Sequence, residues 1–465
     1  MRLAPLLLAL AFALPACALH AQTRIPDAAV DKAGQLREQA LASDLGWKIT
    51  ESLTTEVGPR LAGTEADARA VAWAKAKFAE LGYDKVWTEP VTFPKWERRS
   101  ESAEVLGEHA QPLVLTALGG SPGGTVEGEV VRFADLDALK AAPEGSLAGK
   151  IAFVDYQMKR QRDGGDYRNG GGVRWGGPSL AIRKGAKAFL MRSAGTDKSR
   201  AAHTGNTGFE DGLEPIPSAA LSTIDADQLA RLVALGPTRV RVALDCGFDG
   251  EYTSQNVIGE ITGSERPDEV VLLAGHLDSW DLGTGAIDDA AGIAITMATG
   301  ALLKPLQPKR SIRVVAFANE EQGLWGGRAY AEKHASEVAK HVISAESDFG
   351  AGRIYGFDSS AREGEKAAFD KIAAALAPLG IEAMPGEGSP ESDIGPMTRQ
   401  GMAWAWLGHD GTHYFDLHHN AEDTLDKVDP EALAQNVAAY TVFTWLAAQA
   451  EGDFGSAPKA ADAED

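Results

Sequence analysis

Cysteine is nearly absent, with 2 in 465 residues, Cys17 and Cys246. So few thiols exclude a disulfide framework, and stability must come from hydrophobic cores or from metal. Long apolar runs are missing too. Leu6 to Leu14 is unbroken but only nine residues long, and Ala291 to Leu303, the best later stretch, is short and interrupted by Thr and Gly. Both fall short of the roughly 20 residues a membrane helix needs, so no membrane span is expected. Positive charge is in deficit: 45 Lys and Arg against 66 Asp and Glu leave a net charge of −21 with His neutral. Acidic residues spread along the chain repel phosphate backbones and anionic lipid, so nucleic acid is not an expected partner and small neutral or cationic partners remain open.

What is present fits a soluble globular protein of two or three domains: 44% hydrophobic and 24% charged residues over this length. Residues 1–21 read as an export signal, with Arg2, the apolar run, and Ala16-Cys17-Ala18 as a small-x-small cleavage site. Leu14-Pro15-Ala16-Cys17 is similar to a bacterial lipoprotein box, although Pro is unusual there, and makes Cys17 a candidate lipid anchor. The expected location is therefore exported, periplasmic or secreted. Helical spacing marks Ala28 to Glu56 and Glu65 to Leu81, where Ala70, Trp73, Ala74, Phe78 and Leu81 share a face. From 111 to 248 the texture changes to short strands and Gly-rich loops, with seven Gly in the fifteen residues Asp163 to Gly177, and predicts a strand-rich insert. After 249 strands and helices alternate, which implies an α/β domain around a largely parallel sheet. Asp429 with Pro430 caps a last helix ending near Ala450, and 451–465 reads as a disordered tail.

Five short strings carry the chemistry, nearly all where a predicted strand ends, the place where open α/β sheets bind ligands. Gly275-His276-Leu277-Asp278 follows an apolar run, and a period of two puts His276 and Asp278 on one side, so that one can ligate metal while the other orients the imidazole. Alone, such a pair is more often a His held by a neighbouring carboxylate. Asp288-Asp289 opens a helix; adjacent carboxylates repel unless a cation sits there or one points away, and the bland alternative is helix capping. Glu320-Glu321 point different ways, so one can bind metal while the other accepts a proton from water, or the pair can simply begin the next helix. Glu346-Ser347-Asp348 and Leu417-His418-His419-Asn420-Ala421-Glu422-Asp423-Thr424 complete the set. Together the strings supply His, Asp, Glu, Asp and His in chain order, the ligand set of a two-zinc site, and one site is simpler than five capping coincidences.

These strings resemble those of the exported zinc aminopeptidase family, and within it the carboxypeptidase Q-like branch that contains plasma glutamate carboxypeptidase, a dipeptidase. The likeness spans essentially the whole mature chain. It includes Val57-Gly58-Pro59-Arg60-Leu61-Ala62-Gly63-Thr64, and it makes 111–248 similar to a protease-associated domain through Gly149 to Asp155 and Lys184 to Ala188. The resemblance implies an α/β/α sandwich with a mixed, largely parallel sheet, its catalytic domain split into 22–110 and 249–450. It implies two Zn²⁺ per chain held by His276, Asp288, Glu321, Asp348 and His419, with Asp288 bridging both ions, Glu320 as general base, and Asp278 in support. His419 rather than His418 follows because the family places this ligand four residues before an Asp-Thr pair, here Asp423-Thr424. A cis bond between the paired Asp, a dipeptide or short-peptide substrate and a homodimer are implied in the same way.

Other readings have less behind them. Gly119-Gly120-Ser121-Pro122-Gly123 matches the pattern of a hydrolase nucleophile elbow, but Gly and a strand follow Ser121 where a helix should start. Gly283-Thr284-Gly285 hints at a dinucleotide loop, yet Asp288 stands where the third Gly belongs and its charge would repel a pyrophosphate. The rival from another class is a non-catalytic peptide-binding or receptor-like relative of the same fold, which metal content would separate from an enzyme. An acyltransferase or cyclase on this fold is disfavoured because the Glu-Glu pair resembles peptidases. For the substrate pocket the candidates are Gly388 to Pro396 and Gly408 to Tyr414, including His409 and His413, with Asp163 to Gly177 as a lid or, more plainly, a surface loop.

Overall fold

Three helices open the computed structural model, which describes residues 22–457: α1 (Asp27–Leu41), α2 (Leu45–Glu56) and α3 (Glu65–Glu80). The export signal and Cys17 lie outside the described residues. α3 starts where Thr64 accepts a hydrogen bond from the Asp67 amide, and Ala70, Trp73, Ala74 and Phe78 are buried as their spacing predicts. Then come β1 (Lys85–Leu106), β2 (Gln111–Leu113), β3 (Leu115–Ala117), β4 (Gly124–Phe133), α4 (Leu136–Ala141), β5 (Ile151–Val154), α5 (Tyr167–Arg183), β6 (Ala188–Arg192), β7 (Ser218–Leu221) and α6 (Thr223–Leu235). β8 (Arg239–Ile261) returns antiparallel to β1 from Lys85↔Glu260 to Leu106↔Arg239. β4, β5, β6 and β7 are parallel neighbours, β3 closes the edge antiparallel to β7, and β4 joins β8.

Two expectations about this segment are corrected. Its three helices make it α/β rather than simply strand-rich. The Gly-rich run from Asp163 is mostly helix α5, because its glycines serve close packing: a Cβ on Gly177 would lie 2.3 Å from the Phe189 ring, and one on Gly170 2.7 Å from Met158 Sδ. Tertiary contact overrides the low helix propensity of Gly here. The segment's core also recruits Trp96, Ala103 and Val105 from the outer half of β1, ahead of residue 111.

The second half of the chain builds the larger sheet from β9 (Arg266–His276), β10 (Arg310–Phe317), β11 (His341–Glu346), β12 (Ile354–Ser359), β13 (Glu382–Ala383) and β14 (Trp404–His409). Between and after them lie α7 (Ala291–Leu303), α8 (Trp325–Lys333), α9 (Lys366–Leu376), α10 (Gly395–Arg399) and α11 (Pro430–Gln449). The order is β13-β12-β14-β11-β9-β10-β8, with β10, β9, β11 and β14 mutually parallel. Burial on both faces explains the unbroken apolar strands. Val271 and Leu273 of β9 and Ile312, Val314 and Ala316 of β10 face the core shared with α1, α2, α7 and α11, whereas Val270, Leu272, Ala274, Val315 and Phe317 face Tyr330 of α8 and Met397 of α10.

Ala286–Leu306, which includes α7, is the one described helical segment long and apolar enough to cross a membrane, and 89% of its most apolar window is buried inside the protein. Asp429 caps α11 through the Glu431 and Ala432 amides. The frayed tail is corrected over 451–457: Glu451 bridges to Arg24, Phe454 is buried, and Ser456 Oγ donates to the His341 carbonyl while accepting from the Ala403 amide.

Candidate metal centre and substrate cleft

The carboxyl ends of β9, β10, β11 and β14 and the loops that follow them bring all five strings together. His276 is the last residue of β9; its Nε2 lies 2.9 Å from Asp288 Oδ1 and 3.2 Å from Asp348 Oδ1. His419 Nε2 lies 2.9 Å from Glu321 Oε2 and 3.3 Å from Asp288 Oδ2. Asp288 thus stands between two imidazoles and presents one oxygen to each. His276, Asp288 and Glu321 offer ligand atoms within 4.8 Å of one another, as do His276, Asp289 and Asp348, and Asp288, His418 and His419. The Asp288–Asp289 peptide is cis. Asp289 is committed to backbone, its carboxylate accepting from the His276 and Gly292 amides. His418 stacks on His419 but its Nε2 is 3.7 Å from Asp288 Oδ2, farther than that of His419.

The electrostatics call for cations. Burial alone would lower the pKa of His276, yet Asp348, Asp278 and Asp288 outweigh it and hold the imidazole well above its ordinary value. His419 is raised for the same reason by Glu321 and Asp288. Burial pushes Glu320 well up, with repulsion from Asp348 adding to it. Asp288 Oδ2 and Glu321 Oε1 are buried without a hydrogen-bond partner. Buried carboxylate oxygens left over after every protein donor has been counted fit a divalent cation bound by hard oxygen and imidazole donors.

Residues around the cluster fix it in place. Asp278 acts differently from expectation: its carboxylate accepts from the Glu320 amide at 3.0 Å and the Glu321 amide at 3.4 Å, while His276 Nδ1 is nearer to its backbone carbonyl, 3.1 Å, than to its carboxylate, 3.7 Å. It positions the Glu pair more than the imidazole. Asp278→Ala is expected to lower turnover or metal affinity about 10- to 100-fold, measured by kcat and a zinc titration. Asp423, used in the sequence only as a marker, holds the Ile287 and Asp288 amides at 2.7 and 3.1 Å. Arg60 is 0% exposed; it donates to the carbonyls of Leu277, Thr284 and Gly285, and Asp423, Asp278, Asp289 and Asp288 offset the cost of burying its charge.

The insert reaches the same loop. The Thr204 amide donates to the His419 carbonyl at 3.0 Å and its own carbonyl lies 3.4 Å from His419 Nδ1, while His203 Nδ1 meets the His418 carbonyl at 2.6 Å. Arg160 pairs with Asp416, and Arg162 with Asp410. Nothing in the spacing of the sequence signals these contacts, because each joins residues more than 200 positions apart on separate segments.

A cleft of about 360 Å³ opens beside the cluster. Glu320, Glu321, Asp288, Asp348 and His419 line it together with Tyr167, Arg174, Trp175 and Asn206 of the insert. Of the pocket candidates, Ser392 and Tyr414 reach it; His413 is exposed and bonded to Arg160 and Asp416, and His409 is buried elsewhere. Ser121 is fully buried, its Oγ accepting from the Ser218 amide, and serves structure rather than nucleophilic attack.

Residues 256–444 match the family model of peptidase family M28. The chain is 32% identical over 422 residues to carboxypeptidase Q of Homo sapiens, an alignment covering 88% of this chain and 86% of that protein. It superposes on the crystal structure of a peptidase M28 precursor from Shewanella amazonensis SB2B with a TM-score of 0.87 and 47% identity, over 91% of this chain and 97% of that one. A zinc aminopeptidase from Bacillus subtilis shares the fold, with a TM-score of 0.62 and 21% identity over 86% and 94% of the two chains.

Proposed function

The chain belongs to peptidase family M28, and we propose that this metallo-exopeptidase uses two zinc ions and Glu320 to hydrolyse dipeptides or short peptides with a free N-terminus. The observation that carries the reading is the arrangement of His276, Asp288, Glu321, Asp348 and His419 around buried, unpartnered carboxylate oxygens at the wall of a cleft that Glu320 also lines. His276 and Asp348 would hold one ion, Glu321 and His419 the other, with Asp288 shared. Zinc held there supplies Lewis acidity that makes water nucleophilic at neutral pH and polarises the scissile carbonyl.

The chain's own part is to orient and to move protons. Asp278 fixes the Glu320 backbone, and the Glu320 carboxylate accepts a proton from the attacking water and returns it to the leaving amine. Burial and the negative charge of Asp348 raise its affinity for that proton. Asp288, Glu321 and Asp348 bring three negative charges to the four positive of two Zn²⁺, so a net positive charge remains for the developing oxyanion. In this reading the insert is protease-associated-like and residues 1–21 direct export.

Elemental analysis with a small peptide panel tests the proposal. About two zinc per chain and hydrolysis of an unblocked dipeptide, but not of its N-acetyl form, are expected; no zinc and no turnover after zinc is supplied would leave a binding protein. Metal release should follow pH with a definite sign. Because His276 and His419 are held above their ordinary pKa and ligate only when neutral, protons compete more strongly as pH falls. Dialysis against chelator should strip zinc and activity faster at pH 5.5 than at pH 8, with activity restored by added zinc, and equal rates at both would contradict the assignment.

A further inference from the structure

We propose that Arg174, on helix α5 of the insert, is the anchor for the substrate's C-terminal carboxylate, so that the insert selects short peptides with a free acid end; this rests on the exopeptidase reading above. Arg174 is 5% exposed, and no carboxylate among the described residues pairs with it. Its Nε donates to the Asn206 carbonyl at 3.0 Å, Nη1 to the Thr204 carbonyl at 3.4 Å and Nη2 to the Tyr167 hydroxyl at 2.6 Å. Those acceptors are all neutral. A guanidinium has five N–H donors, so roughly two remain free after these bonds. Buried charges are normally paired, and a held guanidinium without a counter-charge at a cleft wall is suited to an anion that arrives from outside.

The rest of the cleft shows which anion. Arg174 is the one Lys or Arg among its lining residues, which also include the carboxylates of Glu320, Glu321, Asp288 and Asp348. A peptide with a carboxylate at one end and its scissile bond at the metal cluster matches that polarity. At about 360 Å³ the cleft is at the small end of ligand sites, which favours a peptide of few residues. Trp175, 50% exposed at the same wall, offers an apolar face to a side chain. The position is built: a Cβ on Gly205, at φ +132°, would lie 2.2 Å from Arg174 Nη1, so the neighbouring loop makes room for the guanidinium by having no side chain.

Arg174 also braces Thr204, which touches His419, so the test must separate anchoring from bracing. With the zinc-loaded full chain, kcat/KM is measured for alanyl-alanine and for its C-terminal amide. The unmodified enzyme is expected to favour the free acid about 10- to 100-fold, the span of a charge-assisted hydrogen bond. Arg174→Met should raise KM for the acid by that factor, leave the amide within about twofold and keep its zinc, and Arg174→Lys should recover part of the preference. Equal treatment of acid and amide by the unmodified enzyme overturns the anchor even if no variant folds. So does an Arg174→Met protein that loses zinc or slows on both substrates alike. Failure to cleave any peptide would remove the exopeptidase reading and the anchor with it.

Discussion

Glu320→Gln is expected to lower kcat about 10²- to 10⁴-fold and to leave bound zinc unchanged, because the substitution removes a proton acceptor from the cleft without touching the imidazole and carboxylate cluster. Gln has nearly the shape of Glu and keeps the backbone amide that Asp278 Oδ1 holds at 3.0 Å, so the loop after β10 should stay in place. What is lost is the ability to take a proton from water and return it to the amine. KM should change little, since Glu320 is assigned no part in ground-state binding. The measurement is kcat beside zinc content on one preparation. Half the normal activity would sink the base assignment, and loss of zinc would move Glu320 into the ligand set.

The contrast between Glu320 and its neighbours shows what could be seen in the sequence. Chemistry-bearing side chains just after an apolar strand announce themselves, since a parallel sheet sends its strand ends to one crevice; His276, Glu321 and Asp348 stand out for that reason, whereas Asp288 stands at a loop-to-helix junction and the choice of His419 over His418 rests on the family resemblance. Their supports do not stand out. Arg60 acts through carbonyls more than 200 residues away in sequence, at Leu277, Thr284 and Gly285, and no spacing encodes such a pairing. Thr204 meets His419 through a backbone amide that every residue type but proline possesses, and the His203 ring meets the His418 carbonyl across 215 residues of sequence. Helix α5 was misread because glycine has two uses, freedom in a loop and closeness in a packed helix, and only the position of Phe189 and Met158 decides between them. The start of the tail, 451–457, differs from its expectation for a related reason: a polar, Gly-containing stretch from Glu451 looks solvated until Phe454 and Ser456 are seen in their buried places.

Asp288→Ala should be more severe than Glu320→Gln, abolishing measurable turnover and weakening zinc binding by more than about 100-fold, beyond the 10- to 100-fold loss typical of a supporting partner. Among the described residues Asp288 alone presents oxygens to both imidazoles, Oδ1 to His276 and Oδ2 to His419, so its removal would strip a donor from both proposed ion positions at once. Burial would push its pKa up, but the neighbouring His276 and His419 imidazoles hold it well down, so it is a carboxylate ready to ligate. Asp289→Ala makes the control. That carboxylate, pushed well up by burial, has each oxygen engaged by a backbone amide, Oδ2 by that of His276 and Oδ1 by that of Gly292. Its loss should lower the melting temperature and disturb β9 against α7, with zinc affected only in proportion to unfolding. Zinc content after dialysis, read beside thermal unfolding for both variants, distinguishes the two Asp. An Asp288→Ala protein that retains two zinc ions would leave the bridging role without support, whatever its activity.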